Sequence, residues 1–527
     1  MRPLPALLRA VALTACLATA ACFGAQSPRD PPRQATVAQA PFSPGPLKLD
    51  PEIISFYAER DLQPVWVQGS ALDPGADILL RVLPPNPELA AAVRAARAAD
   101  PRALARADLL LTRAFVAEVR ERRRPAERSR MRYIDAGLAP EPASDRDTLY
   151  ALAAAPSLAD HVRSALRRNP AFDGLRRGLA AYRARWSRLP QIQVAAGRAD
   201  LLRQRLGGGN IEAALRAFQK VHGLAVTGRA DRATIAALNR GAAHYERLIL
   251  ANIERARAIP AAPGGRYVLV DTASARLFMI EDGMIRDSMR VIVGKRDMPT
   301  PEMAGLIRYA ALNPYWNLPP DLIRKRARAA LRNPRAIAAE RLQVLSDWSD
   351  EARVLQPGKV NWAAVAAGRT FVNLRQLPGP QNMMGRVKYM LPNELGVYLH
   401  DTPNRDLFAG ADRRQSSGCI RLEDAQRLGR WLFGGAMPRA TGAPEQQVDL
   451  PEPVPVYITY LTALPTADGV VFLADSYNRD ARAASAPRRA ARATRATPAA
   501  SRPRRGRAAA ARPAPRPSAR KPANRRA

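Results

Sequence analysis

One cysteine and one histidine stand in a pattern that can perform covalent chemistry. His400 stands in the middle of the run Val397-Tyr398-Leu399-His400-Asp401-Thr402-Pro403, and Cys419 follows in Gln415-Ser416-Ser417-Gly418-Cys419-Ile420-Arg421-Leu422. The chain holds only four histidines and three cysteines, and the other two cysteines, Cys16 and Cys22, fall near the N-terminus. A thiolate attacks carbonyl carbon, and an imidazole can take the thiol's proton, so this pair is the minimum set for nucleophilic acyl transfer. Gly418 permits close approach of a substrate, and main-chain N–H groups there can hold an oxyanion. Arg413, Arg414 and Arg421, with a helix expected to begin near Glu423, add positive potential that favours thiolate. Taken singly, an inert buried thiol and a core histidine are the better readings. Asp401 is expected to hold the imidazole through its carbonyl, because the carboxylate of a chain neighbour rarely has the right direction. One cysteine and scattered histidines make no ligand cluster, so neither a metal nor another cofactor is implied.

These residues need a rigid frame, and the flanking sequence supplies strands. Tyr267 to Val270, Leu277 to Ile280 and Met289 to Val293 are short apolar runs, with Asp282-Gly283 as a hairpin signal between them. Strand character returns at Leu395 to Leu399 and in a closing pair, Pro455 to Thr462 and Gly469 to Ala474. Between about 319 and 380 lies an Arg- and Ala-rich interruption with helical periodicity. It is read as a helical lid inserted in the β domain.

Upstream, residues 49–199 carry helical periodicity, as in Leu104 to Val119 and Leu175 to Trp186, and read as a helical scaffold. In residues 200–240 Asn210 is a plausible N-cap. Ile211, Leu215, Phe218 and His222 fall on one stripe, Gly223 stops that helix, and a second begins near Asp231. His222 and His244 have no metal-ligand neighbours and read as surface or core histidines. A helical connector spans 241–264.

The chain is 527 residues with 82 Lys+Arg against 47 Asp+Glu, a formal charge of +35. That length excludes a small disulfide scaffold and predicts several domains. Residues 1–25 look like an export signal: Arg2 and Arg9 precede the uncharged run Ala10 to Ala21. Leu13-Thr14-Ala15-Cys16 and Thr19-Ala20-Ala21-Cys22 are two lipobox-like alternatives beside a signal without lipid. The expectation is an exported protein of the periplasm or cell envelope, soluble or lipid-anchored at Cys22 or Cys16. Residues 26–48 read as a linker, and the Ala-, Arg- and Pro-rich stretch 476–527 as a disordered basic tail. Export and the lack of aromatic residues argue against nucleic acid as its partner and for anionic envelope polymers.

The motifs around His400 and Cys419 resemble the YkuD-type L,D-transpeptidase catalytic domain. Val293-Gly294, Thr300-Pro301 and Asn313-Pro314-Tyr315-Trp316-Asn317 extend the resemblance over about 265–475. Phe218-Gln219, Gly223-Leu224, Thr227-Gly228, Thr234 and Leu238 resemble the small peptidoglycan-binding helical domain. Scaffold, binding unit and interruption together are similar to the large YcbB-like branch of the family. The resemblance implies a multidomain α+β protein, peptidoglycan stems and glycan as partners, Cys419 as nucleophile and His400 as general base. It further implies an oxyanion hole from the backbone at Ser417, Gly418 and Cys419, and Arg421 as the match to the family arginine. Tyr398 and Trp316 are candidates to line the substrate groove, with strand and lid packing the better default reading for both. The implied reaction joins third-position diaminopimelate residues through a cysteine thioester. The alternatives on the same domain are trimming of stems or attachment of envelope proteins to them. A non-catalytic wall-binding protein is disfavoured by the intact Cys–His pair.

Overall fold

The computed structural model describes residues 49–126, 129–166, 169–260, 265–333, 335–349 and 351–481. The signal, the linker and all but the start of the basic tail lie outside them. No helix among the described residues is long and apolar enough to cross a membrane.

The scaffold is built on the helix Pro101–Arg123. Asp100 caps it by accepting the Ala103 N–H at 2.8 Å, satisfying a first-turn donor. Leu104, Ala107, Leu111 and Phe115 form a buried stripe that meets Leu89 and Val93 of Pro87–Ala96. Asp108 is buried in the same helix, where the Tyr57 hydroxyl and the N–H of Val65, at 2.9 Å, donate to its carboxylate. Burial raises its pKa to about 6 against those bonds.

The small unit folds as its sequence predicts. Asn210 caps Ile211–Val221 and Asp231 caps Arg232–Asn239, with Gly223 at φ 66° after the first helix. His222 is a core residue. Its ring stacks on Phe218 with centroids 3.7 Å apart, Nδ1 lies 2.7 Å from the Phe218 carbonyl and Nε2 3.1 Å from the Tyr182 hydroxyl. Burial pushes its pKa down to about 3.

The C-terminal half is built on a ten-stranded sheet that closes on itself. Its main strands are β1 (Arg266–Asp271), β2 (Arg276–Glu281), β3 (Met284–Gly294), β4 (Met303–Leu312), β5 (Val387–Met390), β6 (Leu399–His400), β7 (Ile420–Leu422) and β8 (Gln446–Thr459). They run in the order β5-β6-β7-β3-β2-β1-β8-β4, and pairing of β5 with β4 completes the circle. The Asp282-Gly283 turn has positive φ at both residues, as a tight hairpin demands. Val268, Leu277, Val291, Val293, Leu399, Ile420 and Leu422 fill the interior. By the two-residue alternation of strands, His400 and Arg421 point outward.

Two features depart from the sequence reading. The interruption contains the expected helices, Pro320–Arg332 and Trp362–Ala366, but also its own four-stranded sheet made with Trp316–Asn317, Leu342–Leu345, Val354–Leu355 and Asn373–Gln376. These strands are too short to show alternation in a segment so rich in Arg and Ala. The tail does not begin at 476 either. Arg479 pairs with Glu302 at 2.9 Å and Asp480 with Arg255 at 2.7 Å, all four with largely buried side chains, so order persists to 481.

After β8 the hairpin Ala463–Thr466 and Gly469–Phe472 leaves the barrel and packs on the helix Pro170–Arg185. Gly174 and Gly178, one turn apart, make room for it. A Cβ at Gly178 would stand 2.3 Å from Val470 Cγ1 and 3.0 Å from the Gly469 carbonyl oxygen. Phe472 then enters the aromatic core around Tyr182, His222 and Tyr245. The last strands of the chain thus bind the small helical unit to the barrel. Gly178→Ala should therefore lower the unfolding midpoint, although alanine favours a helix interior by about 1 kcal/mol, because overpacking costs ~1–3 kcal/mol. Gly137→Ala, with open space around its new Cβ, should not lower it.

Candidate active site

Pairing of β6 with β7 is parallel, with Leu399 opposite Ile420 and His400 opposite Arg421. The register continues outward, since the Ile420 N–H donates to the Tyr398 carbonyl at 3.1 Å. Tyr398, His400, Cys419 and Arg421 are thereby placed on the outer face of the barrel, and Leu399, Ile420 and Leu422 on the inner one. Lys388 of β5 stands opposite His400 and completes the row, its Nζ 2.9 Å from the Glu445 carboxylate.

His400 is 2% exposed, and its Nδ1 lies 2.6 Å from the Asp401 carbonyl oxygen, the arrangement expected from sequence. A carbonyl can only accept, so Nδ1 carries the proton and Nε2 keeps its lone pair. Burial and the nearby Arg421 guanidinium push the imidazole pKa down to about 3, so the ring is neutral near pH 7. Asp401 itself is fixed by Arg405, at 2.5 Å, and by the Arg386 N–H, at 2.8 Å.

Cys419 is partly exposed, yet its surroundings exclude enough water to push its pKa above the ordinary thiol value. The Tyr398 N–H and the Arg421 charge oppose that rise without cancelling it. Arg421 favours thiolate, as expected from sequence, but desolvation outweighs it. The thiol donates to the Gly396 carbonyl at 3.4 Å, in a loop clamped by Asn393, whose Oδ1 and Nδ2 bond the main chain on both sides of Gly396. No hydrogen bond joins Sγ to His400. The resting pair is a neutral thiol beside a neutral imidazole.

The Cys419 loop is held from below. Ser416 Oγ donates to the Cys419 carbonyl at 2.6 Å and accepts the Gly418 N–H at 3.1 Å. The Gly418 N–H is thus already engaged, whereas those of Ser417 and Cys419 have no partner among the described residues. Thr300 Oγ1, fully buried, donates to the Gly418 carbonyl at 2.8 Å and accepts the Gly294 N–H at the same distance. Behind it, Tyr477 donates to the Gly294 carbonyl at 2.5 Å, and Arg479 reaches the Thr300 carbonyl at 3.3 Å. Nothing in the sequence pointed to Tyr477 or Arg479, and Ser416 was visible only as part of the Cys419 motif. Thr300 was visible only within its Thr-Pro pair.

Of the other predicted residues, Arg421 has no hydrogen-bond partner for its side chain among the described residues, and its Nε is buried. Tyr398 is half-buried between the barrel core and the core of the insertion, its ring 6.0 Å from that of His400. Trp316 does not face an open groove. It is 9% exposed and packs with Leu318, Ile323 and Leu374 inside the insertion.

The geometry is that of a cysteine–histidine site on the outside of a closed β-sheet, roofed on one side by an insertion. Residues 265–454 match the family model of the L,D-transpeptidase catalytic domain, YkuD. Residues 51–179 match a scaffold domain, and residues 200–238 a "putative peptidoglycan binding domain". A Haemophilus influenzae "Putative L,D-transpeptidase" is 30% identical over 242 residues, covering 44% of this chain and 47% of its own. The chain therefore spans about half the length of the curated relative it matches. Solved structures of L,D-transpeptidases from Mycobacterium smegmatis and, as a mutant, Enterococcus faecium are each 14% identical with a TM-score of 0.19. They cover 37% and 38% of this chain and 58% and 52% of their own. The protein carries a YkuD-type L,D-transpeptidase catalytic domain together with a peptidoglycan-binding domain.

Two outcomes follow from this geometry. Alkylation of Cys419 by iodoacetamide, followed on its peptide by mass, should rise with pH through a midpoint above that of a free thiol. In Arg421→Gln the midpoint should move higher still, since the guanidinium favours the thiolate. Thr300→Val should cost about 2–4 kcal/mol in denaturant unfolding, because it orphans the Gly418 carbonyl and the Gly294 N–H in a buried site. Thr300→Ser should recover most of that loss.

Proposed function

We propose that this protein is an L,D-transpeptidase of the cell envelope that joins peptidoglycan stems through a thioester on Cys419. The observation that carries the reading is the β6–β7 register, which sets Cys419, His400 and the unpaired Arg421 side by side on one face. Arg421 would hold a substrate carboxylate, its bare guanidinium being suited to a planar anion.

In the first half-reaction the thiol turns from the Gly396 carbonyl toward His400. Nε2 takes its proton as Sγ attacks the carbonyl between the third-position diaminopimelate and D-alanine. Negative charge develops on the carbonyl oxygen, where the Cys419 and Ser417 N–H groups can receive it. This differs from a hole that includes Gly418, whose donor is already used. The C–N bond breaks, D-alanine leaves with the proton from His400, and the thioester remains. In the second half the amine of another stem loses a proton to His400 and attacks the thioester, releasing the thiol and forming the cross-link. A neutral thiol and a neutral imidazole suit this sequence, because the ion pair forms only as the bond forms.

The insertion serves as a cover over the thioester. Tyr398 packs into it on one side and borders Cys419 on the other, so movement of the cover is felt at the nucleophile. Excluding water lets an amine compete for the acyl group.

Incubating the purified protein with a disaccharide-tetrapeptide should give a cross-linked dimer with loss of D-alanine, and Cys419→Ser should give none. A tripeptide as sole product would replace the transpeptidase reading with stem trimming, and an unchanged tetrapeptide would overturn both.

A further inference from the structure

Beyond the Cys–His site, the outer face of the barrel carries a concentration of cations that the transpeptidase reaction does not use. Arg276 on β2 and Arg290 on β3 are direct cross-strand partners. Like charges in that position repel and destabilise a sheet unless something neutralises them. Among the described residues only one is neutralised: the Glu423 carboxylate accepts from the Arg290 main-chain N–H at 2.9 Å, from its Nε at 2.8 Å and from its Nη2, so the Arg290 fork is engaged. Arg276 finds no carboxylate and donates to the Ser288 hydroxyl at 2.7 Å. Arg413 is nearby and bonds only the carbonyls of Gly410 and Ser274. Its pKa is lowered by burial and by the charges of Arg290 and Arg276.

Arg276 and Arg290 border an open cleft of about 600 Å³. Arg276, Ser288, Arg290, Arg405, Glu423 and Arg427 form much of its wall, so four guanidiniums meet the two carboxylates of Glu423 and Asp424. Arg427 lies 3.4 Å from Asp287 and 3.9 Å from Asp424, and Arg405 is turned toward Asp401 and the Glu423 carbonyl. The uncompensated charge is therefore concentrated at Arg276, beside Arg290. Glu423 follows Cys419 by four positions, about 13 Å along an extended strand, so the cleft is a neighbour of the active site and distinct from it.

We propose that this cleft is an anion-binding site in which Arg276 grips one oxyanion, a phosphoryl or a carboxylate group, beside the Arg290–Glu423 pair. The Arg276 fork has no carboxylate partner and matches the paired oxygens of either group, and a bound anion would supply the counter-charge that Arg276 lacks beside Arg290. The inference rests on the cleft alone and is independent of the reaction at Cys419.

Inorganic pyrophosphate and glutarate, each against sodium chloride at equal ionic strength, are the probes. In the full-length protein, either should slow phenylglyoxal modification of Arg276, read on its peptide by mass. The more protective probe tells phosphoryl from carboxylate. Calorimetric affinity for that probe should fall at least tenfold in Arg276→Gln and less in Arg276→Lys, which keeps the charge without the fork. Replacing Arg504, Arg505 and Arg507 of the tail with glutamine should leave it unchanged. If neither probe protects Arg276 beyond chloride, or if Arg276→Gln binds as the wild type does, the site does not exist. The protection measurement needs no variant, so misfolding of Arg276→Gln would not rescue the idea.

Discussion

The parallel pairing of β6 with β7 is the constraint on which the site depends. Antiparallel neighbours can be joined by a tight turn, but parallel ones need a crossover, and here residues 401–419 make it. That crossover returns the chain to the same end of the sheet, so that the residue before Ile420 falls beside the residue before Leu399. Cys419, beside Tyr398, and Arg421, beside His400, are thus set on one face by register. A slip of one residue would turn Ile420 outward and Cys419 into the core, exposing apolar surface and burying the thiol. The apolar inner residues therefore enforce the position of the reactive outer ones.

Desolvation dominates the electrostatics of this face. The protein carries a large positive charge, and Arg421 adjoins the thiol, yet burial drives both the thiol and the imidazole toward their neutral forms. Charges on exposed arginines are screened within a Debye length of about 10 Å, whereas loss of water acts at contact. Arg421 cannot satisfy both neighbours. It favours a thiolate on Cys419 and disfavours an imidazolium on His400, so its charge helps the nucleophile while making its own ion-pair partner harder to form. An anionic substrate group against Arg421 would remove that second penalty, which links binding to the proton transfer it precedes.

Much of this was legible in the sequence because it is local. Caps at Asn210 and Asp231, the Asp282-Gly283 turn and the strand ending at His400 are each dictated by neighbouring residues. The carbonyl of Asp401 as the partner of His400 followed from the poor reach of an adjacent carboxylate. What was not legible depends on distant pairing. The small sheet of the insertion, which closes around Trp316, is one such case. Residues 476–481 are polar and lie beside an Ala- and Arg-rich stretch, so composition assigned them to the tail, but Glu302 and Arg255 wait for Arg479 and Asp480 some 180 and 220 positions upstream.

That C-terminal segment joins parts of the chain that composition separates. Asp480 bonds Arg255 and Thr462, and Asn252 of the same helix bonds Thr462, so the helix Ala242–Arg257 is tied to the start of the hairpin that enters the small unit's core. One residue earlier, Arg479 pairs with Glu302 and reaches Thr300, whose hydroxyl fixes the Gly418 carbonyl. A peptide plane held by its carbonyl cannot rotate, so the direction of the Cys419 N–H is set by contacts that run back to the helical connector. Folding of the last described turn is consequently required for the small helical unit, the connector and the nucleophile loop to be correct at once. A chain ending before residue 477 would keep every motif that identifies its domains and lose the contacts that hold them in one arrangement.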